Sequence, residues 1–313
     1  RYTFAQEDES YDTFRDGFKD RREIVYVGAN NGMLHGFDAN TGEEVFAYIP
    51  GIVYDSSTES GISFPAQKDY SHRFYVDLSP TSADIKINGQ WRTVLVGGQR
   101  AGGRGIFVLD VTDPTKLNEG NADSIAMFEF TDPDLGVTFS DVSIALMNNG
   151  KWAAVFGNGY NSDNGGSGTA QLFIVYLDNS GFVKINTGAG SVVNGNCLDQ
   201  NSDCNGLSSP QIVDVDGNGT IDRVYAGDLQ GHLWGFDLSS DTDANWEIAH
   251  QDNQGNYVPL FTACTDNCAN GNGNGNGNGM ANGASVIMAN AAAAGGNGKG
   301  NGKGSGPGLK LQQ

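Results

Sequence analysis

Apolar residues in this chain come in short, β-branched bursts that stop at glycine, with polar residues between them. Ile24-Val25-Tyr26-Val27 ends at Gly28, and Val94-Leu95-Val96 ends at Gly97. Runs of this length bounded by turn residues predict strands. Before the C-terminal tail no long segment carries a 3.6-residue apolar period, so the pattern predicts an all-β chain without helices.

The bursts repeat. Val25-Tyr26-Val27-Gly28 through Leu34-His35-Gly36-Phe37-Asp38 aligns without gaps on Val224-Tyr225-Ala226-Gly227 through Leu233-Trp234-Gly235-Phe236-Asp237. Looser copies span Val94–Asp110 and Val155–Asp178. Each copy predicts a β-hairpin: a strand ending at glycine, a glycine-containing turn, and a returning strand that closes on an aspartate. Asp38, Asp110, Asp178 and Asp237 recur because the following turn wants an aspartate, a structural role rather than four catalytic carboxylates. A further strand is expected before each later hairpin (Ser79–Asp84, Ser140–Ser143, Ser209–Asp214). Others are expected after hairpins, at Val45–Tyr48 and Met127–Phe130. Three or four strands per repeat, repeated radially, predict β-propeller blades. The copies are spaced more widely than the ~40–50 residues of a compact blade. Long loops must take up the excess, most obviously Gly51–Arg73.

Composition agrees and adds detail. The 46 glycines against 8 prolines suit many tight turns. After Cys268 the chain becomes an Asn/Gly alternation with a polyalanine run, which cannot bury enough apolar area to offset its backbone entropy. The expected organisation is a propeller domain at 1–268 and a disordered low-complexity tail at 269–313, in which 284–294 could dock as a short helix or strand. The chain begins at Arg1 without Met, as expected of a mature or excised piece of something longer. No apolar stretch reaches the ~20 residues of a membrane span.

A net charge of −19 repels nucleic acid and anionic lipid, and suits divalent cations. The four cysteines fall in two close pairs, predicting disulfides Cys197–Cys204 and Cys264–Cys268 and an oxidising compartment. A zinc site is the rival, but neither pair has a nearby histidine to complete one.

One motif carries sharp chemistry. Asp214-Val215-Asp216-Gly217-Asn218-Gly219-Thr220-Ile221-Asp222 places oxygen ligands at alternate positions, with Gly219 at the sharp turn. This is calcium-loop spacing: side chains of Asp214, Asp216, Asn218 and Asp222 with the Thr220 carbonyl would surround a hard Ca2+ ion. Tyr225 stands where an EF-hand carries its last acidic ligand, so this is a strand-to-strand loop instead. The bland alternative is a turn-rich loop that needs no ion, yet three converging carboxylates without a cation repel one another. Magnesium fits less well, because it retains water. Weaker candidates are Asp199, Asn201 and Asp203, and Asp163 with Asn164.

VYVGANNGMLHGFDANTGEEVFAYIP, YSHRFYVDLSPTSAD, GGRGIFVLDVTDP, FEFTDPDLGVTFSD, WAAVFGNGYNS and DVDGNGTIDRVYAGDLQGHLWGFDL follow one another in this order. Together they resemble the C-terminal domain of the PilY/PilC type IV pilus biogenesis proteins, from about Tyr11 to Cys264. The resemblance implies a modified seven-bladed, quinoprotein-like propeller at the outer cell surface or pilus tip, reached through the periplasm. It also implies calcium on Asp214, Asp216, Asn218, Thr220 and Asp222, tied to pilus extension and retraction, twitching motility and adhesion. Pilins or minor pilins, and a host or abiotic surface, are the implied partners. Only four hairpins are visible, so an incomplete or smaller propeller, or one completed by another chain, is expected. Arg15-Asp16-Gly17 is not an integrin-binding tripeptide.

Two other functions compete. Repeat one also resembles quinoprotein dehydrogenase blades, but the tryptophan those blades carry is Phe46 here and no adjacent cysteine pair exists. The four histidines (35, 72, 232, 250) form no nucleophilic or metal motif, so no enzyme is expected. His35 and Trp234 occupy equivalent hairpin positions, which predicts packing. A purely structural periplasmic scaffold is the third reading.

Overall fold

The computed structural model describes residues 9–54, 67–69, 71–160, 162 and 165–263. The chain separates into two units, Arg1–Asp266 and Asn267–Gln313. The second unit, with Cys264, Cys268, Asp163 and Asn164, lies outside the described residues. The tail expectation and the Cys264–Cys268 pairing therefore fall there too.

Among the described residues the strands form four antiparallel sheets, each a meander in chain order. Blade 1 holds β1 (Ile24–Gly28), β2 (Leu34–Asp38) and β3 (Glu44–Tyr48). Blade 2 holds β4 (Thr81–Ile87), β5 (Gln90–Gly98), β6 (Ile106–Asp110) and β7 (Ala126–Phe130). Blade 3 holds β8 (Ser143–Leu146), β9 (Trp152–Gly157), β10 (Thr169–Tyr176) and β11 (Phe182–Gly190). Blade 4 holds β12 (Gln211–Val213), β13 (Arg223–Gly227), β14 (His232–Asp237) and β15 (Glu247–Ile248). In that sheet β16 (Phe261–Thr262) also pairs with β14.

All four repeat copies are hairpins, and the two aligned ones share a register. Val25 pairs with Phe37 in blade 1, and Val224 with Phe236 in blade 4. Blades 2–4 have a strand ahead of the hairpin, which blade 1 lacks among the described residues. Asn88-Gly89 joins β4 to β5 with φ of 50° and 77° at the two turn positions, the primed turn that matches strand twist.

Three hydrophobic cores lie between successive sheets. Ile24, Tyr26 and Leu34 of blade 1 meet Leu95, Phe107 and Leu109 of blade 2. Val94, Val96, Ile106 and Val108 on the opposite face of blade 2 meet Phe156, Phe173 and Val175 of blade 3. Ala153, Val155, Leu172 and Ile174 then meet Val224, Ala226, Trp234 and Phe236 of blade 4. Blade 3 is covered on both sides, so every residue of β9 and β10 is buried and alternation disappears there.

One expectation is corrected. Glu9–Phe18 forms a helix, α1, where none was predicted. Tyr11, Phe14 and Phe18 recur at three- and four-residue intervals, and in so short a stretch that stripe is a weak signal. The helix is held by its packing: Tyr11 and Phe14 lie against the Trp91 ring, and Trp91 Nε1 donates to Ser10. A second helix, α2 (Ala122–Ile125), is a single turn leading into β7.

The closing aspartates are turn residues. Asp38 accepts from the amides of Asn40 and Thr41, Asp110 from Thr112, Asp178 from Ser180 and Asp237 from Ser239. In three repeats an arginine near the start of the hairpin's first strand also pairs with the aspartate: Arg22–Asp38, Arg92–Asp110 and Arg223–Asp237. The arginine hydrogen bond, then the two turn amides, hold the Asp38 carboxyl down at about 2.

Candidate metal centre

The nine-residue acidic loop connects β12 to β13, within blade 4. Glycines at φ of 79° (Gly217) and 91° (Gly219) let the chain reverse twice, a conformation that other residues resist. Those reversals aim backbone amides inward. Gly217 N donates to Asp214 Oδ1 at 2.7 Å and Gly219 N to Asp214 Oδ2 at 2.8 Å. Asn218 N donates to Asp216 Oδ1 at 3.0 Å, and Val215 N to Asp222 Oδ2 at 2.8 Å.

Carboxylate oxygens of Asp214, Asp216 and Asp222 lie within 4.8 Å of one another. Asp222 is buried and Asp216 exposed, so the group is rooted in the sheet and open to solvent on one side. Asn218 joins it through Nδ2 on Asp216 Oδ2 at 3.1 Å. Thr220 contributes a hydroxyl bonded to Asn218 Oδ1 and to Asn148 Oδ1. Ile221 is buried among residues of blades 3 and 4, as an anchor should be. The three aspartates offer hard oxygens, and each carboxylate oxygen that accepts one hydrogen bond keeps a lone pair for a cation, whereas Asn218 Oδ1 already accepts from Thr220 N and Oγ1. The three carboxylates therefore fit a calcium ion.

Asn148 was not foreseen. It sits in the β8–β9 turn of blade 3, in a Met-Asn-Asn-Gly stretch that reads only as a turn. The weaker Asp199 candidate turns its Oδ1 onto the backbone and side-chain amides of Asn201, while Asp203 pairs its backbone with Ser191. Cys197 and Cys204, which bracket that loop, are joined in a disulfide with Cα atoms 5.5 Å apart. The two hairpin positions compared earlier do pack. Trp234 is buried with Nε1 on Asp228, and the His35 ring stacks on Phe37 with Nδ1 against Glu44.

The sequence profile of the PilY1 beta-propeller domain matches residues 3–271. The chain belongs to the PilY1 β-propeller family. A type IV pilus biogenesis factor PilY1 homolog of Xylella fastidiosa is 43% identical over 242 residues, covering 77% of this chain and 16% of the relative. The type IV pilus biogenesis factor PilY1 of Pseudomonas aeruginosa PAO1 is 43% identical over 234 residues, covering 73% and 18%. The crystal structure of the P. aeruginosa PilY1 C-terminal domain superposes with a TM-score of 0.64 at 35% identity, covering 85% of this chain and 51% of that one. The chain thus spans less than a fifth of the length of these curated relatives. No helix among the described residues is long and apolar enough to cross a membrane.

Proposed function

We propose that this chain is a non-enzymatic, calcium-binding propeller segment of a type IV pilus assembly and tip-adhesin protein. The observation that carries the reading is the convergence of Asp214, Asp216 and Asp222 on a loop with calcium-ligand spacing. Asp214, Asp216, Asn218 and Asp222 side chains with the Thr220 carbonyl would hold the ion. Bound there, calcium would offset two of the three carboxylate charges and stiffen the entry to β13.

The pilus role rests on the relatives, which are named for type IV pilus biogenesis and share this segment at 43% identity. On that basis the protein works at the outer cell surface or pilus tip after passing through the periplasm. It engages pilins or minor pilins and the surface to which the cell attaches. Calcium occupancy would set the balance of pilus extension and retraction, and with it twitching motility and adhesion. The disulfide Cys197–Cys204 suits that oxidising route.

The test is made in the full-length pilus protein within its own cells. Asp216→Ala should leave the protein at the surface and change retraction and twitching. Unaltered motility and attachment in a variant shown to have lost calcium would contradict the proposed regulation.

A further inference from the structure

The acidic loop is fastened to the neighbouring blade as well as to its own, and one side chain makes most of that connection. Asn148 Nδ2 lies 3.0 Å from the Ile221 carbonyl, 3.0 Å from Asp222 Oδ1 and 3.0 Å from the Leu238 carbonyl. Its Oδ1 accepts from Thr220 Oγ1 at 2.7 Å. A residue of blade 3 thus touches two of the five residues expected to carry calcium ligands, and the backbone of a third loop residue. Beside it the main chains join directly: Met147 forms a parallel bridge with Ile221, and Ile221 N donates to the Leu146 carbonyl at 3.0 Å.

We propose that Asn148 is a positioning residue for the metal loop, and that through it calcium tightens the joint between blades 3 and 4. This rests on the calcium reading above. A ligand carboxylate is oriented by what hydrogen-bonds its oxygens, and removing such a partner typically weakens metal binding by about 10–100-fold. Asn148 orients Asp222 from one side while Val215 N orients it from the other. Coupling is reciprocal: if the Asn148 contacts favour the ion-binding arrangement, the ion favours those contacts to the same extent. Occupancy is then felt at the Leu146–Ile221 hydrogen bond, which closes the joint between the two sheets.

The test compares the parent chain with Asn148→Ala and Asn148→Asp, measuring calcium affinity by calorimetry and exchange of the Ile221 amide with and without calcium. In the parent, calcium should slow Ile221 exchange. Asn148→Ala should bind calcium at least about tenfold more weakly, and its Ile221 amide should lose most of the calcium response. Asn148→Asp keeps an oxygen for Thr220 but sets a carboxylate against Asp222. It should be destabilised in chelator and recover when calcium is added, which a purely structural side chain would not do. Parent-like affinity in the alanine variant, or losses of stability equal with and without calcium in both variants, would overturn the inference alone. No calcium uptake by the parent would overturn the metal reading, and this inference with it.

Discussion

The hairpins of blades 1 and 4 share a motif and a register, yet bury opposite faces. Val25 is 55% exposed, while its counterpart Val224 is fully buried. Phe37 is half-buried where Phe236 is fully buried, and Leu34 is buried where Leu233 is only half-buried. The reason is position in the stack. Blade 1 packs one face on the blade that follows it, and blade 4 packs the other face on the blade that precedes it. Blades 2 and 3 use both faces at once. Among the described residues the motif is therefore covered on one face in blade 1 and on the opposite face in blade 4.

Chemistry divides along the same line. Blade 4 enters its hairpin through the acidic loop, whereas the sequence ahead of the blade 1 hairpin is α1. A cation should therefore act on one copy of the motif and leave the other untouched.

The contrast can be broken in four ways. The largest effect is expected from Phe236→Ala, which should cost about 3–5 kcal/mol by urea unfolding as a fully buried ring is lost. Phe37→Ala should cost well under half of that, and equal losses would refute the opposite-face account. Next is calcium at about a hundred times its dissociation constant. It should raise stability by roughly 2.7 kcal/mol and slow amide exchange across β13 and β14, leaving β1 and β2 unchanged.

Acid should produce a smaller effect. The Asp38 carboxyl is held at about 2 by the arginine bond and turn amides. At Asp237 burial works in the opposite sense, and the Ser239 bonds and Arg223 outweigh it to lower the value. A carboxyl depressed on folding stabilises the fold above its unfolded value, about 3.9, and loses that contribution as pH falls through its folded value. Asp38→Asn should flatten the acid limb of the melting curve between about pH 4 and 2, and an unchanged limb would count against the pairing. The smallest effect is expected from Val25→Thr, within about 0.5 kcal/mol, whereas Val224→Thr buries a hydroxyl and should cost clearly more.

Much of this was legible in the chain. The V-Y-x-G to G-F-D repeat marks both hairpins, and the closing aspartates identify themselves as turn residues because short polar residues (Asn, Ser, Thr, Asp) follow them. The acidic loop could be read because all of its ligand candidates are local in sequence. What could not be read depends on contacts between distant segments. Asn148 reaches Asp222 from 74 positions away, across a joint between blades that no periodicity encodes. Helix α1 was missed because its aromatic stripe is short and its stability comes from Trp91, in blade 2. The opposite burial of Val25 and Val224 was hidden for a similar reason: identical residues in matching strands differ in which side has a neighbour.

Calcium binding by the β12–β13 loop underlies both the proposed function and the contrast between blades 1 and 4. It is tested most directly by calorimetric calcium titration of the chain beside Asp216→Ala. One saturable site in the parent that is lost in the variant is the predicted result. Absence of binding, or binding unchanged by the substitution, would contradict it.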